Sequence, residues 1–400
     1  MRSVDQHLAA ILAAIRPIAP IELGLLEAEG GVLTGAVSAT HPLPSFDNSA
    51  MDGYAVRSAD VEGAAPGHPV TLPVVGEVAA GDTGAYAVTA GAAMRITTGA
   101  KLPAGADTVV PVEWTDGGTV KVEVRQPAEA GHAIRTIGED LRGGDQVLPA
   151  GTSIGPVQLG LLAAVGRSSA VVRPRPRVAV VSTGNELAEP GTPMTPGRIW
   201  ESNSFMLTAA ARQAGSIAFR HGAVRDDPRE LMAAIEDQLM RADVLVTSGG
   251  VSMGGEHDVV KDTLSRLGTV DFTRVAMQPG MPQGFGMVGD DHTPIFTLPG
   301  NPVSAYVSFQ LFVRPALRAL QGMDPERPRT VRAMLTGPLR SPAGRRSFAR
   351  AQLERALVTP VSGQGSHQLA SLAAANALVI VPEDVTELAI GDEAEVMRLP

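Results

Sequence analysis

Residues 242–268 read ADVLVTSGGVSMGGEHDVVKDTLSRLG, and this stretch decides which fold the chain adopts. Residues 244–246 have the pattern of a buried strand, and the Ser-Gly-Gly of residues 248–250 forms a turn. Apolar residues at positions 260, 264 and 267 then predict a helix that ends at Gly268. A strand, a glycine-rich turn and a helix N-terminus make an anion site, because unpaired backbone N–H groups and the positive end of the helix dipole face the ligand.

Asp258 falls in the first turn of this predicted helix, where an anion site does not usually place another negative charge. Two interpretations are open. The carboxylate stabilises the start of the helix through the dipole, or it holds a divalent metal ion beside a bound phosphate or oxyanion.

The composition limits the function classes. The chain has 400 residues, 44% of them hydrophobic, which predicts two to four domains with sizeable cores. Its net charge is −9 without a long basic run, which argues against nucleic acid or an anionic membrane as the main partner. Cysteine is absent, so disulfides, thiolate metal sites and a cysteine nucleophile are excluded. No signal-peptide pattern or membrane-spanning apolar run stands out, so we expect a soluble cytoplasmic protein.

The order of the predicted elements divides the chain into four parts. Short β-prone runs fill residues 46–129 and interrupt an elongated mixed N-terminal domain of residues 1–45 and 130–172, which begins with predicted helices at 5–16 and 22–29. Residues 173–325 alternate strands and helices, which is typical of a parallel α/β sheet. The predicted fold is therefore multidomain α/β, with a central parallel sheet domain, an inserted small β domain and a C-terminal β-barrel-like domain at residues 326–400.

Three successive strands of the predicted sheet are each followed by a carboxylate. Glu186 follows RVAVVSTG, Asp226 and Asp227 follow IAFRHGAV, and Asp258 follows ADVLVTSGG. In an open parallel sheet, ligands bind at the edge where the carboxyl ends of the strands meet. Asp227 stands directly before Pro228 and is the predicted N-cap of the next helix. The other carboxylates and an anionic ligand repel each other unless a cation joins them, so Mg²⁺ is the inferred metal ion.

Seven motifs occur in the order that one protein family shows. They are FDNSAMDGYAVR, RITTGA, GEDL, VVSTGNEL, SGGVS with Asp258 and Lys261, TLPGNPVSA, and GSH followed by Ser371. Over nearly its whole length the chain thus resembles the molybdopterin molybdenumtransferase family, the molybdate insertases of molybdenum-cofactor synthesis, to which the E domain of gephyrin is related. FDNSAMDGYAV and LPGNPVSA are the specific motifs; by composition alone residues 45–56 predict only a tight turn.

The resemblance implies a homodimer that inserts molybdate into adenylylated molybdopterin and releases AMP, with a divalent ion. It implies that Asp52, Glu186, Asp226 and Asp258 are catalytic, with Glu186 and Asp258 as metal ligands. In the family the β-rich domain of one subunit faces the α/β domain of the other, so Asp52 and Thr98 would act across the dimer interface. The implied substrate-binding residues are Thr98, Asp140, Gly249, Gly250, Ser252, Lys261, Arg274, Pro299, Asn301, Pro302, Arg350 and Ser371.

Residues 278–282 depart from the family's pattern. They read Gln-Pro-Gly-Met-Pro, whereas the family commonly has Lys-Pro-Gly-Lys-Pro, so two cationic contacts for an oxyanion are missing. Arg274 falls where many members have another lysine, and it keeps one positive charge there.

Two other functions are open at this point. A molybdopterin adenylyltransferase uses a related α/β domain, but it does not need the additional domains or the FDNSAMDGYAV segment. A non-catalytic pterin-binding scaffold would match the anchoring role of gephyrin, but a binding module does not need all the acidic positions. An adenylyltransferase consumes ATP, an insertase releases AMP only when molybdate is present, and a scaffold does neither.

Overall fold

The computed structural model describes residues 1–250, 259–325 and 330–400, which form two compact units. Unit one comprises residues 1–21, 30–32 and 171–400, and unit two comprises residues 22–29 and 33–170. The predicted division into four domains is finer than this and stays a prediction. Among the described residues, no helix has both the length and the apolar character that crossing a membrane requires.

The described strands are numbered along the chain: β1 (Ile21–Gly24), β2 (Val32–Leu33), β3 (Val37–Ser38), β4 (Asn48–Ser49), β5 (Gly53–Val56), β6 (Val70–Val78), β7 (Ala93–Ile96), β8 (Thr108–Pro111), β9 (Lys121–Val124), β10 (Ile134–Arg135), β11 (Gln146–Leu148), β12 (Ser169–Arg173), β13 (Arg177–Thr183), β14 (Leu187–Ala188), β15 (Ile199–Trp200), β16 (Ile217–Val224), β17 (Val244–Ser248), β18 (Gly268–Arg274), β19 (Met277–Gln278), β20 (Pro282–Val288), β21 (Thr293–Leu298), β22 (Thr330–Leu335), β23 (Leu339–Arg340), β24 (Arg346–Glu354), β25 (Leu357–Pro360), β26 (Ala377–Val381), β27 (Glu387–Leu388) and β28 (Glu393–Arg398).

The described helices are numbered in the same way: α1 (Val4–Ala14), α2 (Pro156–Ala164), α3 (Asn203–Gln213), α4 (Pro228–Leu239), α5 (Val259–Leu267), α6 (Pro302–Ser308), α7 (Arg314–Leu320) and α8 (Leu369–Ala373). A π-helical segment, Phe309–Val313, joins α6 to α7. This irregularity ends two residues before Pro315. Proline cannot donate the backbone hydrogen bond that a regular helix needs, so an irregular helix is expected here.

One of the predicted N-terminal helices is wrong. Residues 22–29 contain the end of β1 and a single turn, in which the Ala28 N–H donates to Gly24 O. The window between Gly24 and Gly30 is too short for a helix to persist without tertiary packing, and Leu26 is 80% exposed. The first helix is present as α1, which starts at a capping box formed by Ser3 and Gln6 and packs in the core of unit one.

A six-stranded sheet in the order β16-β13-β17-β21-β20-β18 forms the centre of unit one. The pairings β13–β16, β13–β17 and β17–β21 are parallel, as the sequence predicts. The prediction of a parallel sheet is wrong for β18 and β20, which pair antiparallel, so the sheet is mixed. Only residues 289–292 join β20 to β21, and a parallel pair needs a crossover connection of a dozen or more residues.

Helices cover both faces of this sheet. On one face, side chains of α1, α3, α6 and α7 pack against inward residues such as Val180 and Val246. On the other face, α4 and α5 pack against Ala179 and Leu245. The central strands are therefore buried on both sides, which explains why their sequences are continuous apolar runs rather than alternating patterns.

The C-terminal part of unit one is barrel-like, as predicted. The strands β24, β25, β22, β28 and β26 pair in that order, and the pairing of β26 with β24 closes the ring. Its interior contains Leu335, Ala351, Val358, Val379 and Val396. Closure leaves no unpaired edge within the ring.

Unit two contains a five-stranded mixed sheet in the order β8-β5-β7-β6-β9, at the position of the predicted β-rich region. The GYAV part of the MDGYAV motif forms β5, an interior strand of this sheet, and its Tyr54 is fully buried. Gly53 is required there, because a Cβ atom at this position would lie 2.0 Å from the Val110 carbonyl oxygen. The motif is therefore partly a packing signal.

Candidate active site

The strand order of the unit-one sheet reverses between β13 and β17. The chain runs from β13 to β16 on one side and then returns to β17 on the other side. Ligands bind in the crevice outside the carboxyl ends of the strands at such a point. A cavity of about 660 Å³ lies there, lined by the ends of β13, β17 and β21, the starts of α3 and α6, and His367 and Leu369 from the C-terminal part.

The predicted glycine turn forms part of the cavity wall. Gly249 and Gly250 have φ of +103° and +66°, a region that favours glycine. A Cβ atom at Gly249 would lie 2.4 Å from Thr183 O, and one at Gly250 would lie 2.0 Å from Val260 Cγ2. The Gly249 N–H already donates to Leu298 O at 3.1 Å, and Gly249 as a substrate contact stays a prediction. Gly250 has no backbone acceptor for its N–H among the described residues.

Asp226 is held at the cavity by its neighbours. Its Oδ1 accepts a hydrogen bond from the Thr183 hydroxyl at 2.8 Å, and its Oδ2 accepts one from the Asn185 N–H at 3.3 Å. In return the Asp226 N–H donates to Asn185 Oδ1 at 3.2 Å. These bonds join the ends of β13 and β16 and fix the direction of the carboxylate. Asp227, the next residue, caps α4 as predicted and points its Oδ1 at the N–H groups of Arg229 and Glu230.

Glu186 lines the same cavity, and its carboxylate has no hydrogen-bond partner among the described residues. Its carboxylate folds back over Gly184, where an added Cβ atom would lie 2.6 Å from Glu186 Oε2. Two of the three predicted acidic positions thus come together, and the third, Asp258, lies outside the described residues.

The donor set suits a magnesium ion only in part. Within the described portion of the chain, no group of three histidine, aspartate or glutamate side chains converges as a preformed metal site would. Mg²⁺ in phosphate-transfer sites usually takes one or two protein carboxylates, with substrate phosphates and waters as the remaining ligands. Two carboxylates beside one cavity fit that arrangement, with Glu186 the less constrained of the two.

Two buried polar residues at the start of α3 were missed by the sequence reasoning. Asn203 donates from Nδ2 to Ser248 Oγ and to Gly300 O, both at 2.7 Å, and so ties α3 to the ends of β17 and β21. Its Oδ1 is buried and has no partner among the described residues. The Glu201 carboxylate, 1% exposed, accepts hydrogen bonds from Ser182 Oγ, Ser204 N and Ser204 Oγ. The only available signal was the polar run Glu-Ser-Asn directly before a predicted helix.

The LPGNP motif forms the opposite wall of the cavity. Pro299, Asn301 and Pro302 all line it, with Asn301 at the N-cap and Pro302 at the first position of α6, as predicted. The Asn301 side chain makes no capping hydrogen bond. The Val303 N–H donates to Ser366 O at 3.1 Å, so the loop from the C-terminal part occupies one of the free donors at this helix start.

Arg350 and Ser371 come together in the C-terminal part. Arg350 Nη2 donates to Gly363 O at 2.6 Å, and the Ser371 hydroxyl donates to the same oxygen at 2.9 Å. The Arg350 side chain is buried, and its Nε has no acceptor among the described residues. Burial lowers the pKa of the guanidinium from its ordinary value. Neither residue lines the cavity, although His367 and Leu369 of the same loop do.

The remaining predicted contacts of unit one are not at the described cavity wall. Lys261 is exposed in the first turn of α5, and Arg274 is exposed at the end of β18, the outermost strand. Arg274 pairs in register with Pro282, which does line the cavity. Ser252 and Asp258 lie outside the described residues.

Unit two contains the other predicted residues. The Thr98 N–H and hydroxyl both donate to Asp52 Oδ1, at 2.6 and 2.8 Å, so the structure pairs the two motifs MDGYAV and RITTGA. These bonds, the backbone bond first, lower the pKa of the Asp52 carboxyl below its ordinary value. Asp140 is exposed, and its backbone N–H donates to Leu43 O at 3.0 Å.

Comparison with known proteins now places the chain. The model of the MoeA N-terminal region (domains I and II) matches residues 2–166, that of a probable molybdopterin binding domain matches 179–319, and that of the MoeA C-terminal region (domain IV) matches 332–399. A Mycobacterium tuberculosis protein, molybdopterin molybdenumtransferase 2, is 48% identical over 408 residues that cover all of both chains. The chain belongs to the molybdopterin molybdenumtransferase family. The resemblance inferred from the motifs is thereby confirmed.

Other relatives agree with this family assignment. Molybdopterin molybdenumtransferase 1 of M. tuberculosis is 41% identical and aligns with 100% of this chain and 99% of its own. A crystal structure of a molybdopterin biosynthesis MoeA protein from Pyrococcus horikoshii superimposes with a TM-score of 0.79 at 32% identity, covering 99% of this chain and 98% of that one. A second structure, from P. horikoshii OT3, gives a TM-score of 0.76 at 29% identity and covers both chains completely.

Proposed function

We propose that this protein is a molybdopterin molybdenumtransferase that inserts molybdate into adenylylated molybdopterin and releases AMP, in a Mg²⁺-dependent reaction. The observation that carries the proposal is the meeting of Glu186 and Asp226 with the Gly249–Gly250 turn at one cavity, at the switch point of the sheet. Membership of the family supplies the substrate class.

The proposed substrate is anionic, so the site needs groups that bind phosphate although carboxylates lie beside it. The Gly250 N–H and the start of α6 at Asn301 are the backbone donors that suit a phosphate oxygen, because they are neutral and need no rearrangement. Arg350 supplies a buried positive charge one loop away from the cavity. A guanidinium without a carboxylate partner is costly to bury, and an anionic substrate would offset that cost.

Glu186 and Asp226, with Asp258, would hold the magnesium ion at this edge. When bound, such an ion would polarise the phosphoanhydride and stabilise the leaving AMP. Asp226 is already oriented by Thr183 and Asn185, so it supplies a fixed point of attachment. Glu186 is free to turn toward the phosphates, which is the behaviour expected of a ligand that completes its contacts only with substrate present.

We further propose a homodimer in which Asp52 and Thr98 of one subunit act at the cavity of the other. The support is the resemblance and the ordered pairing of the two residues at an exposed position of unit two. The Asp52 carboxylate, which is ionised at neutral pH, could accept a proton or orient a water molecule. The cytoplasmic location stays a prediction.

The deciding experiment measures AMP release from the purified protein with adenylylated molybdopterin and Mg²⁺, with and without molybdate. Release that depends on molybdate supports the proposal. Consumption of ATP with unmodified molybdopterin would instead indicate an adenylyltransferase, and tight binding without turnover would indicate a scaffold. Tungstate in place of molybdate tests whether the Gln278 and Met281 departures favour another oxyanion.

A further inference from the structure

Residues 185–200, called the strap below, form one wall of the cavity and are attached to the sheet at few points. The strap supplies Glu186, Leu187, Ile199 and Trp200 to the lining. Internally it is held by the two-residue pairing of β14 with β15, by the Ile199 N–H, which donates to Glu186 O at 2.8 Å, and by the Arg198 guanidinium, which donates to Leu187 O. Such a short pairing is too small to fix a 16-residue excursion by itself.

Arg220 on β16 connects the strap to the sheet. Its Nη2 donates to both carboxylate oxygens of Glu189, a strap residue. Glu189 Oε1 also accepts from the Ala223 N–H at 3.4 Å. A β-bulge at His221 makes this approach possible, because Arg220 pairs with Val180 but Gly222 already pairs with Val181.

The same guanidinium also contacts Ser204 and the buried Glu201, and Glu201 lines the cavity. Arg220 Nε donates to Ser204 Oγ at 2.6 Å, and Nη2 lies 3.7 Å from Oε2 of the buried Glu201. The Ser204 hydroxyl donates a hydrogen bond to Glu201 Oε2 at 2.5 Å, and Glu201 Oε1 accepts one from the hydroxyl of the cavity-lining Ser182. The guanidinium carbon also lies 4.0 Å from the centre of the Phe205 ring.

We propose that Arg220 is a positioning residue for the reaction: it clamps the strap through Glu189 and thereby fixes Glu186 and Trp200 at the cavity. A planar guanidinium suits this role, because its fork can bond a carboxylate on one edge and a hydroxyl on another while it stacks on a ring. The positive charge of Arg220 also lies beside the buried Glu201 carboxylate and reduces the cost of burying it. Its effect on catalysis rests on the proposed function; its effect on the strap does not.

The test compares Arg220→Gln with Arg241→Gln. Arg241 is a matched control, since it lies 4.7 Å over Phe219, the residue before Arg220, and pairs with Asp237 at 3.7 Å, but has no contact with the strap or the cavity. We expect kcat for AMP release to fall roughly 10- to 100-fold in Arg220→Gln, since a misplacement of about 1 Å can cost that much, and to stay unchanged in Arg241→Gln. Thermal unfolding of both variants shows whether the fold is kept.

A second readout is independent of the reaction. The chain has two tryptophans, so a Trp114→Phe background leaves Trp200 as the single fluorophore. Acrylamide quenching of the Trp200 fluorescence should increase in Arg220→Gln and in Glu189→Gln. In Arg220→Lys the quenching should return part of the way to the wild-type level. In a double-mutant cycle, Glu189→Gln should add little to Arg220→Gln, because both remove one contact.

Each result decides a separate question. If the wild-type protein releases no AMP, the proposed function fails, while the quenching comparison still tests the clamp. Unchanged quenching in Arg220→Gln overturns the clamp. Increased quenching with unchanged kcat overturns the claim that the clamp positions the site. Equal losses of kcat in Arg220→Gln and Arg241→Gln would show a general effect of stability and would also overturn it.

Discussion

Unit one has a cavity at each end of its central sheet, and the two differ in what their polar groups do. The cavity at the carboxyl ends measures about 660 Å³ and the one at the amino ends about 700 Å³. At the amino ends, Arg177 is the first residue of β13 and Asp243 directly precedes the neighbouring β17. The Arg177 N–H, Nε and Nη2 all donate to the Asp243 carboxylate, at 2.8 to 3.1 Å.

At the carboxyl ends, some of the polar groups that line the cavity have no hydrogen-bond partner among the described residues. The exposed Glu186 carboxylate has no partner, the Asn203 Oδ1 is buried without one, and Asp226 is oriented by Thr183 and Asn185, all within the described residues. Leaving a buried polar group such as the Asn203 Oδ1 unpaired costs about 1–3 kcal/mol, and a ligand that bonds this oxygen would remove that cost. The comparison teaches that size does not identify the functional cavity; unused, preoriented polar atoms do.

The largest expected effect breaks the carboxyl-end site. Glu186→Ala and Asp226→Ala should each lower AMP release by at least about 100-fold, because each removes an oxygen ligand from the inferred metal site. Asp243→Ala, at the other end of the same sheet, should leave the rate unchanged. The measurement is molybdate-dependent AMP release at saturating Mg²⁺, with the oligomeric state of each variant checked by gel filtration.

Two outcomes would contradict this interpretation. An equal loss in Asp243→Ala would show that the two ends of the sheet do not differ in function. Loss of folded protein in Glu186→Ala would assign that carboxylate to stability, in conflict with its lack of partners among the described residues.

How far the sequence predicts this arrangement depends on how local each feature is. The glycine turn, the LPGNP helix start and the carboxylates after the strands depend on neighbouring residues, and the structure places Gly250, Asn301, Glu186 and Asp226 at one cavity as expected. Strand direction is not a local property, so the sequence predicts a parallel sheet and does not reveal that β18 and β20 pair antiparallel.

The features that were missed connect distant parts of the chain. Asn203 bonds residues 45 and 97 positions away, and Arg220 joins a strap residue 31 positions before it. No periodicity or motif marks such bonds, because they depend on which loops the sheet order brings together. The bulge that aims Arg220 is equally invisible in the sequence IAFRHGAV.

A smaller effect is expected for Asp52, a carboxylate of unit two that is hydrogen-bonded, in contrast to the Glu186 carboxylate. Asp52 is exposed, and one of its oxygens is occupied by Thr98. Because these bonds lower its pKa, Asp52 stays ionised to a lower pH than an ordinary aspartate. Thr98→Val removes the hydroxyl bond but keeps the backbone bond, so the pKa should rise part of the way back.

The measurement is the pH dependence of kcat/KM for AMP release. If ionised Asp52 is needed, the acid limb should move to higher pH in Thr98→Val, with little change of rate at neutral pH. Thr98→Ser, which keeps the hydroxyl, is the matched control and should have the wild-type profile. An acid limb that stays in place would remove Asp52 from the groups whose ionisation controls the reaction.

The smallest effect separates two neighbours at one edge, Asp226 and Asp227. The Asp227 carboxylate accepts hydrogen bonds from the Glu230 and Arg229 N–H groups, and these bonds, in that order, lower its pKa. A group with a lowered pKa in the folded state adds stability above its unfolded pKa, and that stability is lost as the pH falls through the folded pKa. Asp227→Ala should therefore lower the urea midpoint modestly at pH 7, with the difference shrinking below about pH 4, while AMP release stays at the wild-type rate. Asp227→Asn retains a neutral cap, and its urea midpoint should lie closer to that of the wild type.

If Asp227→Ala instead abolished AMP release without changing the urea midpoint, its carboxylate would take part in the reaction. Hydrogen bonding within the protein would then no longer distinguish structural from functional carboxylates in this protein.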